Sequence, residues 1–309
     1  MWDEEVDVAV VGAGIGGLAN AIAAVDAGGD VLVADARPRA FGGSHPGVLR
    51  ERVEVRSRSL LPETVDCETN EYFAAVSEGI PQLPHPSGEA SVPRRNARNL
   101  SSEEAFGTVE PFFGSRLNSW AEQCITSPYG LMYTSMRDWS TTTMRSGNGE
   151  SIEVCSVGAI DWAPGFGERD LHQWLAAQAD DRDIEVQRST TLDRIVFEEG
   201  VIVGIVLSTP NGPWAVRTRA GICLAPADQD GDESGAVDLG ASDRLHVCLV
   251  GRTASRYGRV ELLATEPAAP SRPVCTGSRR QLRDGLHDAR QQSLDGWRCG
   301  VVHGYPALG

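Results

Sequence analysis

Lysine is absent: all 28 basic residues among the 309 are arginine. That excludes chemistry that needs an amine, including Schiff bases, pyridoxal phosphate anchoring and the lysine of a phosphate-binding P-loop. Long apolar runs are absent as well, and no stretch approaches the roughly twenty residues of a membrane-spanning helix. Aromatic residues make up 6% of the chain. The seven cysteines, at 67, 124, 155, 223, 248, 275 and 299, are scattered and never spaced C-x-x-C. This argues against a disulfide framework and against a zinc or iron–sulfur site, and it suits a reducing compartment. Positive charge is scarce overall, with 43 acidic against 28 basic residues and a net charge of −15. Such a field repels nucleic acid and anionic membranes. The acidic start MWDEEVDV is unlike the basic opening of a signal peptide, so a cytoplasmic location is expected.

Glycine is plentiful, and its placement near the start is the most informative feature of the sequence. Val6, Val8, Val10 and Val11 form a β-branched run that ends at Gly12, as a buried parallel strand does. Gly12, Gly14 and Gly17 then fit G-x-G-x-x-G, with roles in the tight turn, the approach of backbone to a pyrophosphate, and close helix–strand packing. Leu18 to Ala27 reads as an Ala-rich helix closed by Gly28-Gly29, and Val31 to Ala34 reads as a second strand ending in Asp35. That acid lies about twenty residues past the turn, where a ribose hydroxyl is expected. With 34 glycines a bare triplet would mean little. The strand before it, the helix after it and the acid beyond give it meaning. An acid at 35 disfavours a 2′-phosphate, so FAD or NAD is expected rather than NADP.

Asp35 is followed by Gly42-Gly43-Ser44-His45. This opening resembles the FAD-dependent oxidoreductases of the fumarate reductase, succinate dehydrogenase and 3-ketosteroid dehydrogenase group. The resemblance implies an α/β, Rossmann-like FAD-binding fold with a parallel sheet and an additional β-rich or mixed substrate region. It implies that Gly12, Gly14 and Gly17 hold the diphosphate, Asp35 the ribose, and Gly42, Gly43 and Ser44 the flavin side. His45 after Ser44 is similar to a histidine that can carry flavin covalently in succinate dehydrogenases, but the residues beyond it differ, and a loop histidine beside Pro46 is the plainer reading. A second block carries the same resemblance: a helix over 170–179, then strands at 184–186, 191–197, 201–207 and 220–225, the last rejoining the FAD sheet.

The remaining segments are less specific. Arg50 to Arg58 reads as a solvated mixed-charge face, and Pro81 to Arg98 as a loop whose arginines act as local counter-charges. From Phe112 to Ser146 aromatic rings mix with hydroxyls and arginines, which suits the wall of a small-molecule pocket. Within it Tyr129, Tyr133, Arg137 and Trp139 stand out, and Tyr133 and Arg137 are the catalytic candidates, as proton donor and carboxylate grip. Asp228 to Gly235 superficially resembles a calcium loop, but its glycine, Glu233 and Leu239 fall at the wrong positions, so no metal site is expected. Arg252 to Arg259 reads as a basic surface segment.

The domain arrangement expected is an FAD-binding domain over 1–50 and 150–260, an inserted substrate region over 51–149, and a tail over 261–309. The implied activity is hydride transfer between flavin N5 and a carbon beside a carbonyl, on a steroid-like, dicarboxylate or other carbonyl compound. An NAD-linked dehydrogenase and a non-catalytic dinucleotide-binding partner are the alternatives. The flavin-closing strand of the resembled group is not found after Ala225, so a second protein subunit is expected to complete the flavin site, with no nucleic acid and no membrane span involved.

Overall fold

The computed structural model describes residues 1–37, 60–62, 64–80, 92–101, 104, 114–135, 141–162, 166–226 and 243–268. Contacts divide the chain into Met1–Arg272 and Pro273–Gly309, and the second unit lies outside the described residues. So do Gly42, Gly43, Ser44, His45, Arg137, Trp139 and the acidic run 228–239.

The β-branched opening becomes β1 (Glu4–Val11), the Ala-rich segment α1 (Ile15–Asp26), and Val31–Asp35 becomes β2. Both strands pair in parallel, Val8 opposite Val31 and Val10 opposite Val33. After α2 (Cys67–Val76), β3 (Arg94–Arg95), β4 (Ala97–Asn99), α3 (Gly114–Ile125), β5 (Gly130–Tyr133), β6 (Thr142–Ser146), β7 (Ser151–Trp162) and α4 (Glu168–Asp180), the chain returns as β8 (Val186–Arg188) beside β2. A meander follows: β9 (Thr191–Glu198), β10 (Val201–Thr209) and β11 (Gly212–Leu224). β11 then runs parallel to β1, with Val10 opposite Cys223 and Val11 opposite Leu224, as the resemblance implied. β12 (Asp243–Gly251) and β13 (Tyr257–Leu263) close the set.

These strands form one thirteen-stranded sheet with two regimes. One half, β8-β2-β1-β11, is parallel. The other, β5-β13-β12-β7-β6-β4, is antiparallel and joins through β5, which pairs with β11 at Cys223–Tyr133 and Leu224–Met132. Strand alternation sends side chains to opposite faces. Val10 and Val33 meet Leu18 and Ile22 of α1 and Leu171 and Leu175 of α4 on one face. Ala9 and Leu32 share the other face with Phe73 of α2 and Trp120 of α3. Full burial of each large aliphatic chain contributes about 1.5–3 kcal/mol, so both faces of the sheet are strongly held. α2 starts where Asp66 accepts hydrogen bonds from Thr69 N (2.8 Å) and Thr69 Oγ1 (2.7 Å), an N-cap that the spacing Asp-x-x-Thr supplies.

Two segments depart from the sequence reading. Pro81 to Arg98 was expected as loop throughout, yet its end forms β3 and β4, because Leu262 and Leu263 of β13 pair with Arg94 and Arg95, and β6 pairs with Ala97–Asn99. Arg252 to Arg259 was expected on the surface. Instead Tyr257, Gly258 and Arg259 are buried in β13, where Arg259 meets Glu261 two residues along the strand, and Arg252 just before it pairs with the distant Glu150. No helix among the described residues is long and apolar enough to cross a membrane.

Candidate functional site

The order β8-β2-β1-β11 reverses direction at β1: α1 carries the chain from β1 to β2 on one side, and β11 lies on the other. In open α/β sheets such a switch point, at the carboxyl ends of the strands, is where a crevice opens. Gly12 sits there. Its N–H donates to Ala34 O of β2 at 2.8 Å, while Ala225 N donates to Val11 O at 2.8 Å from the end of β11. Its φ of +100° is a left-handed conformation that favours glycine, and a Cβ there would stand 2.1 Å from Ala225 O.

Gly14 is the N-cap of α1, with no side-chain hydrogen bond at the cap and no acid in the first turn. The first helical bond runs from Leu18 N to Gly14 O (2.9 Å), so the N–H groups before it have no partner within the helix. The third glycine lets the helix descend onto the turn, since a Cβ on Gly17 would lie 1.8 Å from Gly12 O. The helix end therefore offers donors and positive dipole without any basic side chain, an arrangement suited to a diphosphate.

Asp35, fully buried at the end of β2, is held by two arginines. Arg37 donates to it from its backbone N (3.2 Å) and from Nε (2.9 Å), with a second guanidinium nitrogen at 2.8 Å. Arg188, the last residue of β8, donates to the same carboxylate through NH1. The chain after β8 is stitched across this end: Ser189 N donates to Arg37 O and Thr190 N to Asp35 O, both at 2.9 Å. Arg37 also reaches Ala13 O inside the glycine turn at 3.3 Å, and His172 Nε2 of α4 lies 3.1 Å from that carbonyl. A carbonyl only accepts, so this contact requires the Nε2–H form of His172.

Arg37, Arg188 and His172 were not singled out by the sequence. The Asp-x-Arg spacing was visible for Arg37. Arg188 becomes a neighbour only through the β2–β8 pairing, and His172 only through the packing of α4 against α1.

Tyr133 lies in β5, buried beside β11, and its backbone N donates to Arg256 O at 2.9 Å. Tyr129 is fully buried in the same core. β5 is also the strand on which α1 rests, because a Cβ on Gly16 would come within 3.0 Å of Gly130 O and Leu131 Cδ2. Asn20, one helical turn after Gly16, is fully buried, and its side-chain amide has no hydrogen-bond partner among the described residues.

The antiparallel half holds a second buried carboxylate, Glu261. Arg95 grips it through Nε (2.5 Å) and NH2 (2.8 Å), and Arg259 Nε donates to it at 2.7 Å. Burial pushes the Glu261 carboxyl up, but the hydrogen bonds and charges of the two arginines outweigh it and leave the group below its ordinary range. Both guanidiniums lie over the Trp120 ring, at 5.9 and 5.3 Å from its centre, as does that of Arg252, which pairs with Glu150. Cys248, across the β12–β13 pair from Glu261, has its thiol pushed up by burial. Among the described residues no group of three or more His, Cys, Asp or Glu is placed to hold a metal ion.

The fold and the glycine turn define an α/β class with a Rossmann-like strand–helix–strand unit at its start. No protein-family model matches the chain, and no curated protein does either. Solved structures do resemble it. They include a geranylgeranyl bacteriochlorophyll reductase-like protein from Thermoplasma acidophilum (17% identity over 70% of this chain and 38% of that one, TM-score 0.27). The 3-ketosteroid-Δ4-(5α)-dehydrogenase from Rhodococcus jostii RHA1 matches at 20% identity over 72% of this chain and 46% of that one, with a TM-score of 0.28. A flavocytochrome c3 fumarate reductase in its open conformation matches at 15% over 70% and 33%, with a TM-score of 0.29. The chain thus spans less than half the length of each of these proteins. Likeness at this level transfers no activity, so the local geometry has to carry the functional reading.

Proposed function

We propose that this chain is an FAD-dependent oxidoreductase, or the FAD-binding subunit of one. The observation that carries the reading is the glycine turn Gly12–Gly17 at the switch point of a parallel sheet, with first-turn N–H groups of α1 facing the crevice side and Asp35 one strand away. The residues present fit a dinucleotide. Positions 12 and 17 have no room for a side chain, and the helix end carries no acid that would repel a diphosphate. In this reading α1 binds the diphosphate, Gly14 lets it approach, and Asp35 with its arginines orients the adenosine ribose.

When bound, FAD would supply the redox chemistry, exchanging a hydride at N5 with a carbon beside a carbonyl. Gly42, Gly43 and Ser44 are assigned to the flavin side by sequence resemblance. Tyr133 and Arg137 remain the proposed proton donor and carboxylate grip, and a carbonyl compound the proposed substrate, with a second subunit completing the flavin side.

The test is a visible spectrum of the purified protein followed by titration with FAD. Yellow protein with flavin absorption near ~450 nm, or tight uptake of added FAD, is the expected result. Colourless protein that leaves FAD unbound but takes up NAD would overturn the flavin reading in favour of a nicotinamide one.

A further inference from the structure

We infer that His172 is a positioning residue for the diphosphate: by donating to Ala13 O it locks the Ala13–Gly14 peptide so that the Gly14 N–H, and not a carbonyl oxygen, meets a bound phosphate. The inference rests on the dinucleotide reading of the Gly12–Gly17 turn. It goes beyond that reading, because His172 stands on a different helix, 159 residues away in sequence.

A peptide unit is planar, so its C=O and N–H lie on opposite edges. Ala13 O lies 3.1 Å from His172 Nε2 and 3.3 Å from Arg37 Nη2, which puts the Gly14 N–H on the edge turned away from both side chains. Among the described residues that N–H donates to none. The turn on either side is held by backbone: Val11 O by Ala225 N, Gly12 N by Ala34 O, and Gly14 O by Leu18 N. The Ala13–Gly14 peptide between them is held by side chains. Glycine at 14 makes such a lock necessary. Without a Cβ its φ is barely restricted, so the peptide before it can turn over. Turning over would exchange a donor for an acceptor, and a carbonyl oxygen repels a diphosphate.

α4 brings the imidazole to this point on a braced helix. It runs beside α1 in the same direction, with Leu171 and Leu175 packed among Leu18 and Ile22. His172 meets the start of α1, and Arg182 holds Asp26 at its end through Nε (2.7 Å) and Nη2 (3.1 Å). The donor is therefore fixed relative to the turn that it holds.

The experiment is calorimetric titration of the purified chain and two variants with FAD. His172→Leu removes the donor and should weaken FAD binding by about threefold or more, the worth of one hydrogen bond. His172→Gln carries an N–H at a similar reach and should restore affinity to within about threefold of the parent. Should His172→Leu fail to fold, His172→Ser, too short to reach Ala13 O, takes its place. If the parent takes up NAD instead of FAD, NAD becomes the titrant with the same expectation, since both carry the diphosphate. Donor-free and glutamine variants that bind alike, whether weakly or as the parent does, overturn the inference and leave the dinucleotide reading intact. A parent chain that binds neither FAD nor NAD overturns both.

Discussion

The two halves of the sheet each bury a carboxylate completely and each answer it with two arginines, yet the two arrangements differ in what they leave outside. Glu261 is gripped by Arg95 and Arg259, whose side chains are 16% and 11% exposed and lie over Trp120. Asp35 is gripped by Arg37 and Arg188 at the carboxyl end of a parallel strand, beside a helix end with open donors. The first is closed on itself and fastens α3 to β13, assisted by the Trp120 Nε1 bond to Tyr257 O at 3.0 Å. The second is closed only on its inner side. Similar pairs of ion contacts thus serve as a fastening in one half and, in the proposed reading, border the nucleotide site in the other, and the cations at Asp35 are the more accessible.

Removing the two carboxylates tests that distinction most strongly. Glu261→Gln takes the carboxylate charge away from two largely enclosed guanidiniums, and breaking a buried pair in this way costs about 3–5 kcal/mol. Asp35→Asn should cost clearly less, since Arg37 and Arg188 can turn toward water, but it should weaken nucleotide binding. Urea denaturation and nucleotide titration of both variants measure the contrast, and equal losses of stability would erase it. Acid sharpens the same point. The folded Glu261 carboxyl titrates below the unfolded value of about 4.3, so its contribution is complete above that pH and is lost as pH falls through the folded value. The acid limb of stability against pH should therefore be shallower in Glu261→Gln than in the parent.

Gly17→Ala probes the crevice from the helix side. Its Cβ would fall 1.8 Å from Gly12 O, and that atom is backbone, so α1 has to lift. Overpacking of this kind costs about 1–3 kcal/mol. The displaced helix end should also lose FAD affinity, while the contacts of Trp120 and Glu261 stay as they are. A variant that binds FAD like the parent would separate the glycine turn from the cofactor.

How far these features were legible depends on how local their causes are. The strand–turn–helix of Val6 to Asp26 follows from periodicity and glycine placement, whereas the order of β8 to β11 was legible only through a family resemblance, with β8 and the start of β11 placed differently from where they fall. Asp35 was legible as an acid at a strand end, but not as half of an arginine clamp, because Arg188 meets it only after β8 joins β2. The burial of Arg259 was hidden for the same reason: Glu261 looks like one charge in an apolar run until the β13 neighbours are known. Arg95 and Arg98, read as local counter-charges, do act so, against Glu261 and Glu104. Only the partner of Arg98 was near it in sequence.

Asn20 marks the smallest expected effect and bears on why the parallel half stays open. Its amide is fully buried on α1, one turn past Gly16, with neither donor nor acceptor met among the described residues. Leaving such a group unmade costs about 1–3 kcal/mol, and alanine is also the better helix former. Removing the amide leaves a small cavity, which takes back part of that gain. Asn20→Ala should therefore raise stability by about 1 kcal/mol in urea denaturation. The carboxylate of Glu261 shows no such debt, so the matching change in the antiparallel half, Glu261→Gln, runs in the opposite direction. If Asn20→Ala instead lowers stability, the amide is satisfied by a bound water or by the nucleotide, and a drop in FAD affinity in the same variant would assign it to the nucleotide.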